Sequence, residues 1–314
     1  MIFGGRRKGL PQEVFSYRRN YLARDPVEVG VRVRNLLFES VRKAGPSGLV
    51  DLLSEIVEVK HAYPFNGLIV RGVDVIVEIN DKIVGQTIGK RQFRELVEFI
   101  RGSLDRVDSE NLAESASALA REILLESRIL LASPSRVTLR AAMAMRAKAQ
   151  VVRVPEVYPY EKGVSLAERL YEEGVAATFV PDYMRARIVR DSDIIVAPIY
   201  GVTSEGFIIT DPGVLPVVEA AREMGKPVYF VGPDSGLHEL GPLSFLESNG
   251  TQKGPVEGVE VRLFDAIDPG RGGVYLARRT GSIQVDRESI KSISRINYKL
   301  VKDTVEALLS RLQH

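Results

Sequence analysis

Between residues 128 and 264 the chain repeats one pattern, a short and nearly continuous apolar run followed by a stretch of helical period. The runs are RILLA, QVVRVP, VAATFV, DIIVAP, KPVYFVG and VEVRLF. A strand keeps alternating polar positions only when one face meets water, so runs without alternation are strands covered on both faces. Helices in right-handed crossovers provide that cover. The six runs therefore predict an α/β domain over residues 126–314, a doubly wound, Rossmann-like parallel sheet. Pro216 near the start of VVEAAREM and Gly225 just after it bracket one crossover helix in the order helices favour.

The first 125 residues lack this pattern. VGVRVRNLLFESVRKAG and SGLVDLLSEIVEVKHA carry apolar residues at helical spacing and end near Gly45 and before Pro64. In GLIVRGVDVIVEIND, Val73, Val75, Val77 and Ile79 alternate with Asp74, Ile76, Glu78 and Asn80, which predicts a short hairpin at 68–80 after an Arg71-Gly72 turn. Helical period returns over 90–102 and over 109–126, the second segment opened by Ser109 as N-cap. Residues 1–125 are thus expected to form a separate, smaller, mainly helical domain with a short hairpin.

Composition narrows the function classes. With 45% apolar residues, the 314-residue chain has enough core for two domains. Its 43 basic and 41 acidic residues nearly cancel, so no global field points to nucleic acid or to a membrane surface. No apolar stretch approaches bilayer length, and MIFGGRRKGLPQE lacks the apolar run of a secretory signal, so a cytoplasmic protein is expected. Having no cysteine, the chain forms no disulfide and no sulfur-bound zinc site, and only His61, His238 and His314 remain as soft ligands. Neither a metal nor a cofactor is expected. Lack of Cys and Trp beside dense, balanced charge is a pattern seen in thermophile proteins. Arg6, Arg7, Lys8, Arg18, Arg19 and Arg24 would suit a basic arm, but without a recognition motif they read as a solvated or domain-packed tail. Direct nucleic-acid binding is not expected.

In a doubly wound sheet, ligands bind beyond the carboxyl ends of the strands where the strand order reverses. That places candidate loops at 133–138, 155–163, 181–182 and 198–213. Ser133, Ser135 and Arg136 precede a helix, which suits a phosphate at the helix N-terminus and equally suits capping alone. A nucleophilic serine needs a base, and no histidine lies on these loops, which excludes serine hydrolysis. PGRGG at 269–273 lacks the dinucleotide-binding glycine spacing, no P-loop is present, and His238 in GLHELG reads as a surface or core histidine.

Four ordered segments carry a family resemblance: LLASPSRVTLRAAM; VPEVYPYEKGVSLAERLYEEGVAATFVPD; DSDIIVAPIYGVTSEGFIITDPGVLPVVEAAREMGKPVYFVGP; and LFDAIDP. Over roughly residues 120–314 the chain resembles the regulatory alpha, beta and delta subunits of translation initiation factor 2B. Methylthioribose-1-phosphate isomerase and ribose-1,5-bisphosphate isomerase belong to the same superfamily. The first domain resembles the family less, because Arg71-Gly72 is not followed by the small-residue helix of the isomerases' phosphate loop.

The resemblance implies where an isomerase site would lie and what this chain puts there. Ser133 stands at the catalytic cysteine, Tyr158 at an arginine whose neighbours Glu156 and Pro159 are kept, Tyr200 at the catalytic aspartate, and Thr210 with Asp211 at an Asn-Lys pair. Gly206 and Gly213 keep the backbone of the loop. Aldose-ketose isomerisation moves a proton between adjacent carbons and needs an acid and a base of suitable pKa, which serine and tyrosine supply poorly. Losing the arginine removes a phosphate clamp, and Asp211 in place of lysine repels phosphate. The resemblance therefore implies a non-catalytic, regulatory-subunit-like protein that acts by oligomer assembly, as a homo-oligomer, and by binding protein partners of the initiation machinery. A vestigial pocket for a phosphorylated small ligand or nucleotide stays open beside it. The alternative is a sugar-phosphate isomerase that recruits Glu156, Asp182 or Asp211; Asp182, at a strand end, is otherwise a structural hydrogen-bonding residue.

Overall fold

The computed structural model describes residues 9–84, 88–157, 159–253 and 260–312. The chain opens with a helical layer: α1 (Glu13–Ser16), α2 (Pro26–Ala62), α3 (Gly67–Ile83) and α4 (Lys90–Glu122). Asp25 starts α2: its Oδ1 accepts the Val27 and Glu28 amides at 2.9 and 3.0 Å, and Pro26 occupies the first helical position, where a missing N–H costs nothing. Gly45, at φ 76°, breaks α2 ahead of Pro46, so the two helices expected from the sequence are the two arms of one kinked helix.

The expected hairpin at 68–80 is a helix instead. Positions 67–73, 75, 76, 79, 80 and 83 of α3 are buried, and its less buried side is a narrow stripe of Asp74, Val77, Glu78, Asp81 and Lys82 at helical spacing, beside which the valines alternate by accident. The helices expected over 90–102 and 109–126 are likewise one, because α4 runs unbroken through Gly102 and Ser109. Ser109 caps nothing.

The second part follows as β1 (Ser127–Leu131), α5 (Arg136–Met145), β2 (Ala149–Pro155), α6 (Lys162–Glu172), β3 (Ala177–Val180), α7 (Arg185–Ile188) and β4 (Ile194–Pro198). A short hairpin, β5 (Gly201–Val202) and β6 (Ile208–Thr210), precedes α8 (Val214–Glu223), β7 (Val228–Val231) and α9 (Leu243–Asn249). Then come β8 (Thr251–Lys253), β9 (Glu260–Arg262), β10 (Asp265–Ile267), β11 (Val274–Arg278), β12 (Gly281–Gln284) and α10 (Arg287–Leu312).

The main sheet has the order β12-β11-β7-β4-β1-β2-β3, parallel except for β12. Counted along the chain, its parallel strands read 3-2-1-4-5-6, and the order reverses between β1 and β4. Five of the six apolar runs are strands of this sheet. VEVRLF is not: β9 pairs with β8 in a two-stranded ribbon, while Leu263 and Phe264 are buried under the helical layer. The sixth parallel strand is β11, from VYLAR. A three-stranded antiparallel sheet, β10-β6-β5, stands beside the main one.

Helical and sheet parts share their interior. The apolar cluster beneath α2, α3 and α4 also takes in Ile209, Leu240, Leu246, Leu263 and Phe264. Across this junction runs a buried ion network. Arg34 of α2 is fully buried and binds Asp105 and Asp108 of α4 at 2.6 and 2.5 Å. Asp108 accepts the Ser235 amide at 2.9 Å, and Arg71 of α3 lies 3.0 Å from Asp234. Gly67 N donates to the Tyr200 carbonyl at 2.6 Å, and a Cβ there would stand 2.2 Å from the Ser235 carbonyl oxygen. Of the basic N-terminal residues, 6–8 lie outside the described residues. Arg18 donates to the Asn249 and Thr251 carbonyls and covers the Phe65 ring, so it packs the two parts together. In α10, Ile290, Ile293 and Val305 are buried, while the side chains of Leu300, Val301, Leu308 and Leu312 lie outside the described residues. Among the described residues no helix is long and apolar enough to cross a membrane.

Candidate functional site

The switch point is where the sequence places the site, and three of the candidate side chains meet there. β1 ends at Leu131, and Ser133 follows in the turn to α5; Tyr200 lies two residues past the end of β4; Asp211 directly follows β6. Asp211 Oδ2 accepts the Ser133 hydroxyl at 2.6 Å and the Tyr200 phenol at 2.9 Å. All three are buried, at 4%, 2% and 8% exposure for Ser133, Tyr200 and Asp211. A single carboxylate oxygen of Asp211 thus holds both hydroxyls.

Burial pushes the Asp211 carboxyl above the usual carboxylate range, opposed first by the Lys162 charge and then by the two hydroxyl bonds. Burial, followed by the Asp211 and Asp25 charges, drives the Tyr200 phenol well above its ordinary value. Lys162, at the start of α6, is itself lowered by burial against the pull of Asp211 and Asp25. Its ammonium donates to the Arg24 carbonyl at 2.7 Å.

Of the two readings of the α5 N-terminus, a phosphate site or capping alone, the structure shows capping, with a side chain of the protein as the anion. Asp25 Oδ2 accepts the Arg136 amide at 2.5 Å, the position a phosphate oxygen would take. Ser135 is the α5 cap, in a reciprocal box with Thr138: its amide donates to Thr138 Oγ1 at 3.0 Å and its hydroxyl accepts from Thr138 N at 3.2 Å. The Arg136 guanidinium is exposed and sits 3.7 Å from Glu28.

The remaining candidates do other work. Glu156 is half-buried and held by its backbone, donating to the Val180 carbonyl and accepting from Gly163 N. Asp182 Oδ1 accepts the Val157 amide at 2.8 Å and Arg185 Nε at 2.9 Å, which ties the 155–163 loop to α7. Thr210 Oγ1 donates to the Pro198 carbonyl at 2.7 Å and locks β6 to the end of β4. Gly213, at φ +88°, starts α8 and donates to Asp265 Oδ2 at 2.8 Å. Gly206 lies at the turn of the β5–β6 hairpin, the end opposite Tyr200 and Asp211, against the Arg287 carbonyl. Tyr158 lies outside the described residues. His238 is buried with its Nε2 2.9 Å from Asp74, while its carbonyl accepts the Val202 amide of the 198–213 loop at 3.0 Å.

Asp25 and Lys162 were not singled out from the sequence. A signal existed for the first, since Asp-Pro-Val-Glu at 25–28 is a strong helix start. Nothing local marks Lys162, because its neighbours come from loops far away in the chain. Among the described residues no group of three His, Asp or Glu side chains is arranged to hold a metal ion.

A 3-2-1-4-5-6 sheet with a helical layer across one end, and a closed polar cluster at its switch point, defines a Rossmann-type α/β protein. Residues 51–252, well over half of the chain, match the family model described as IF-2B, the Initiation factor 2 subunit family, and the chain belongs to that family. No curated protein is significantly similar to it. Among solved structures, the Pyrococcus horikoshii OT3 translation initiation factor eIF-2B is 18% identical, with a TM-score of 0.64 over 89% of this chain and 99% of its own. Chaetomium thermophilum eIF2B beta is 15% identical (TM-score 0.65; 93% and 92%), and the tetrameric eIF2B-beta2-delta2 complex from the same organism 14% (0.67; 91% and 94%). Coverage of this extent includes the helical layer, so the shared fold is not confined to residues 120–314.

Proposed function

We propose that the protein is a non-catalytic member of this family, which acts by assembling with itself and by binding protein partners of translation initiation. The observation that carries the reading is the closed state of the switch-point cluster. Ser133 and Tyr200, at the two proton-transfer positions, both donate to Asp211, and the helix amide suited to a phosphate is held by Asp25. A ligand would have to displace a buried carboxylate network before meeting either hydroxyl. The solved beta and delta relatives support assembly, since they form a tetramer. Family membership, together with the absence of a membrane-length apolar helix among the described residues, supports a cytoplasmic location.

The test is twofold. Purified protein is incubated with ribose-1,5-bisphosphate and with methylthioribose-1-phosphate, and its mass in solution is measured by light scattering. The reading expects background turnover and a dimer or larger assembly; turnover abolished by Asp211→Asn, or a strict monomer, overturns it. A second reading, an isomerase built on Asp211, is favoured by one observation, the raised carboxyl pKa that a general base needs. The same turnover assay decides between them.

A further inference from the structure

A buried polar junction joins α3, α10 and the turn Asp234–Leu237. His238, 2% exposed, ends that turn, and its Nε2 lies 2.9 Å from Asp74 Oδ2. The other Asp74 oxygen takes Lys60 Nζ at 2.6 Å. Tyr298 of α10 covers the imidazole with ring centroids 5.5 Å apart, and Lys302 lies 5.5 Å from the Tyr298 ring centroid and 3.2 Å from Glu78. Asp74, Val75, Glu78, His238, Tyr298 and Lys302 line a small cavity.

The rest of the α10 seam is polar and incompletely bonded. Ser294 and Asn297 are buried, yet Ser294 Oγ and Asn297 Nδ2 have no hydrogen-bond partner. Asn80 Oδ1 of α3 and Ser235 Oγ of the turn are buried in the same condition. Each has given up hydration without a bond in return. Aliphatic anchors, Ile290 and Ile293 at one end and Val305 at the other, flank this stretch. Ile296, 57% exposed, marks the solvent side of the helix.

We propose that α10 is a releasable strap, and that a proton taken up by His238 loosens its middle from α3 and the 234–237 turn. Lys60 faces the imidazole from α2, Arg71, Asp74 and Glu78 from α3, Tyr298 and Lys302 from α10, and Glu239 is its chain neighbour. Asp74 already binds Lys60, so a second cation meets a carboxylate that is already paired. Burial holds the imidazole below its ordinary value, Asp74 opposes this, and Arg71 and Lys60 add to it. The folded state therefore binds fewer protons than the unfolded one at this site. Its stability is full above the ordinary histidine range and falls as pH drops through that range. Hydrating the charged ring requires Tyr298 to move. The helix that yields is α10, whose buried apolar side chains among the described residues are Ile290, Ile293 and Val305, whereas α3 is held by twelve buried positions.

Hydrogen–deuterium exchange of residues 287–312 in the full chain, corrected for intrinsic rates, tests the proposal between pH 7.5 and 5.5. Protection is expected to fall severalfold as pH drops through the ordinary histidine range in the wild type and not in His238→Asn. Because His238→Asn can perturb packing, Lys60→Gln is measured alongside; removing this cation lets the imidazole protonate more readily, so the transition moves to higher pH. A flat wild-type response, an equal response in His238→Asn, or an unmoved transition in Lys60→Gln would each overturn the proposal.

Discussion

The carboxylate of Asp25 reaches the backbone amide of Arg136, 111 residues away in the chain, at 2.5 Å, while its other oxygen caps α2. One side chain thus serves two helix N-termini that belong to different parts of the fold. Asp25→Ala is expected to lower stability by about 1–3 kcal/mol, above the usual cost of a lost cap because two helices lose it. Asp25→Asn, which keeps the acceptor and loses the charge, is expected to cost less. Urea titration of the three proteins checks the order.

Asp211 is a buried acid held above its usual pKa, so the folded state binds its proton more tightly than the unfolded chain does. The stability linked to this group is fully present below the ordinary carboxylate range and is lost as pH rises through the raised folded value. Asp211→Asn keeps an acceptor for Ser133 and Tyr200 and carries no charge. Its stability relative to wild type is therefore expected to improve as pH rises from about 4 towards 7. Parallel urea curves at several pH values measure this, and a constant difference would contradict it.

Restoring the lost aspartate should not restore chemistry. Tyr200→Asp brings a second carboxylate beside Asp211, and two acids at such a distance do not both ionise readily. The variant is expected to be less stable than wild type and to give no turnover with either sugar phosphate, since Ser133 still lacks thiol reactivity. Product analysis after prolonged incubation decides the second point.

Arg34→Met removes the cation from a network in which Asp108 is 6% exposed. Asp108 then keeps only Arg71, at 3.5 Å, as a cation, so the change should cost about 3–5 kcal/mol, and the double change Arg34→Met with Asp108→Leu should recover much of it. Full recovery is not expected, because Asp108 also holds the Ser235 amide.

The strands were legible where burial on both faces left an uninterrupted apolar run, as in IIVAP of β4. The same logic failed for α3: its polar stripe of Asp74, Glu78, Asp81 and Lys82 is narrow, and Val73, Val75, Val77 and Ile79 then read as a strand. VEVRLF failed for a related reason, since Leu263 and Phe264 are apolar to fill the interior beneath the helices rather than to line the sheet. At the site, strand ends placed Ser133 and Tyr200 together, because topology alone fixes where strands stop. That Asp211 would turn inward to bind both, or that Lys162 and Asp25 would neighbour it, depends on contacts between loops far apart in the chain, which no local pattern records.

The interior that α2, α3 and α4 share with Ile209, Leu240, Leu246, Leu263 and Phe264 has a consequence for synthesis. The helical part leaves the ribosome first, and the side chains that complete its interior follow more than a hundred residues later. At 5–20 residues per second this is a delay on the order of ten seconds. Throughout it, the nascent helices present an apolar surface that only the later half of the same chain can cover. Chaperone dependence during translation, and poor recovery of an isolated 1–125 fragment, are the expected marks of a protein whose first half waits for its second.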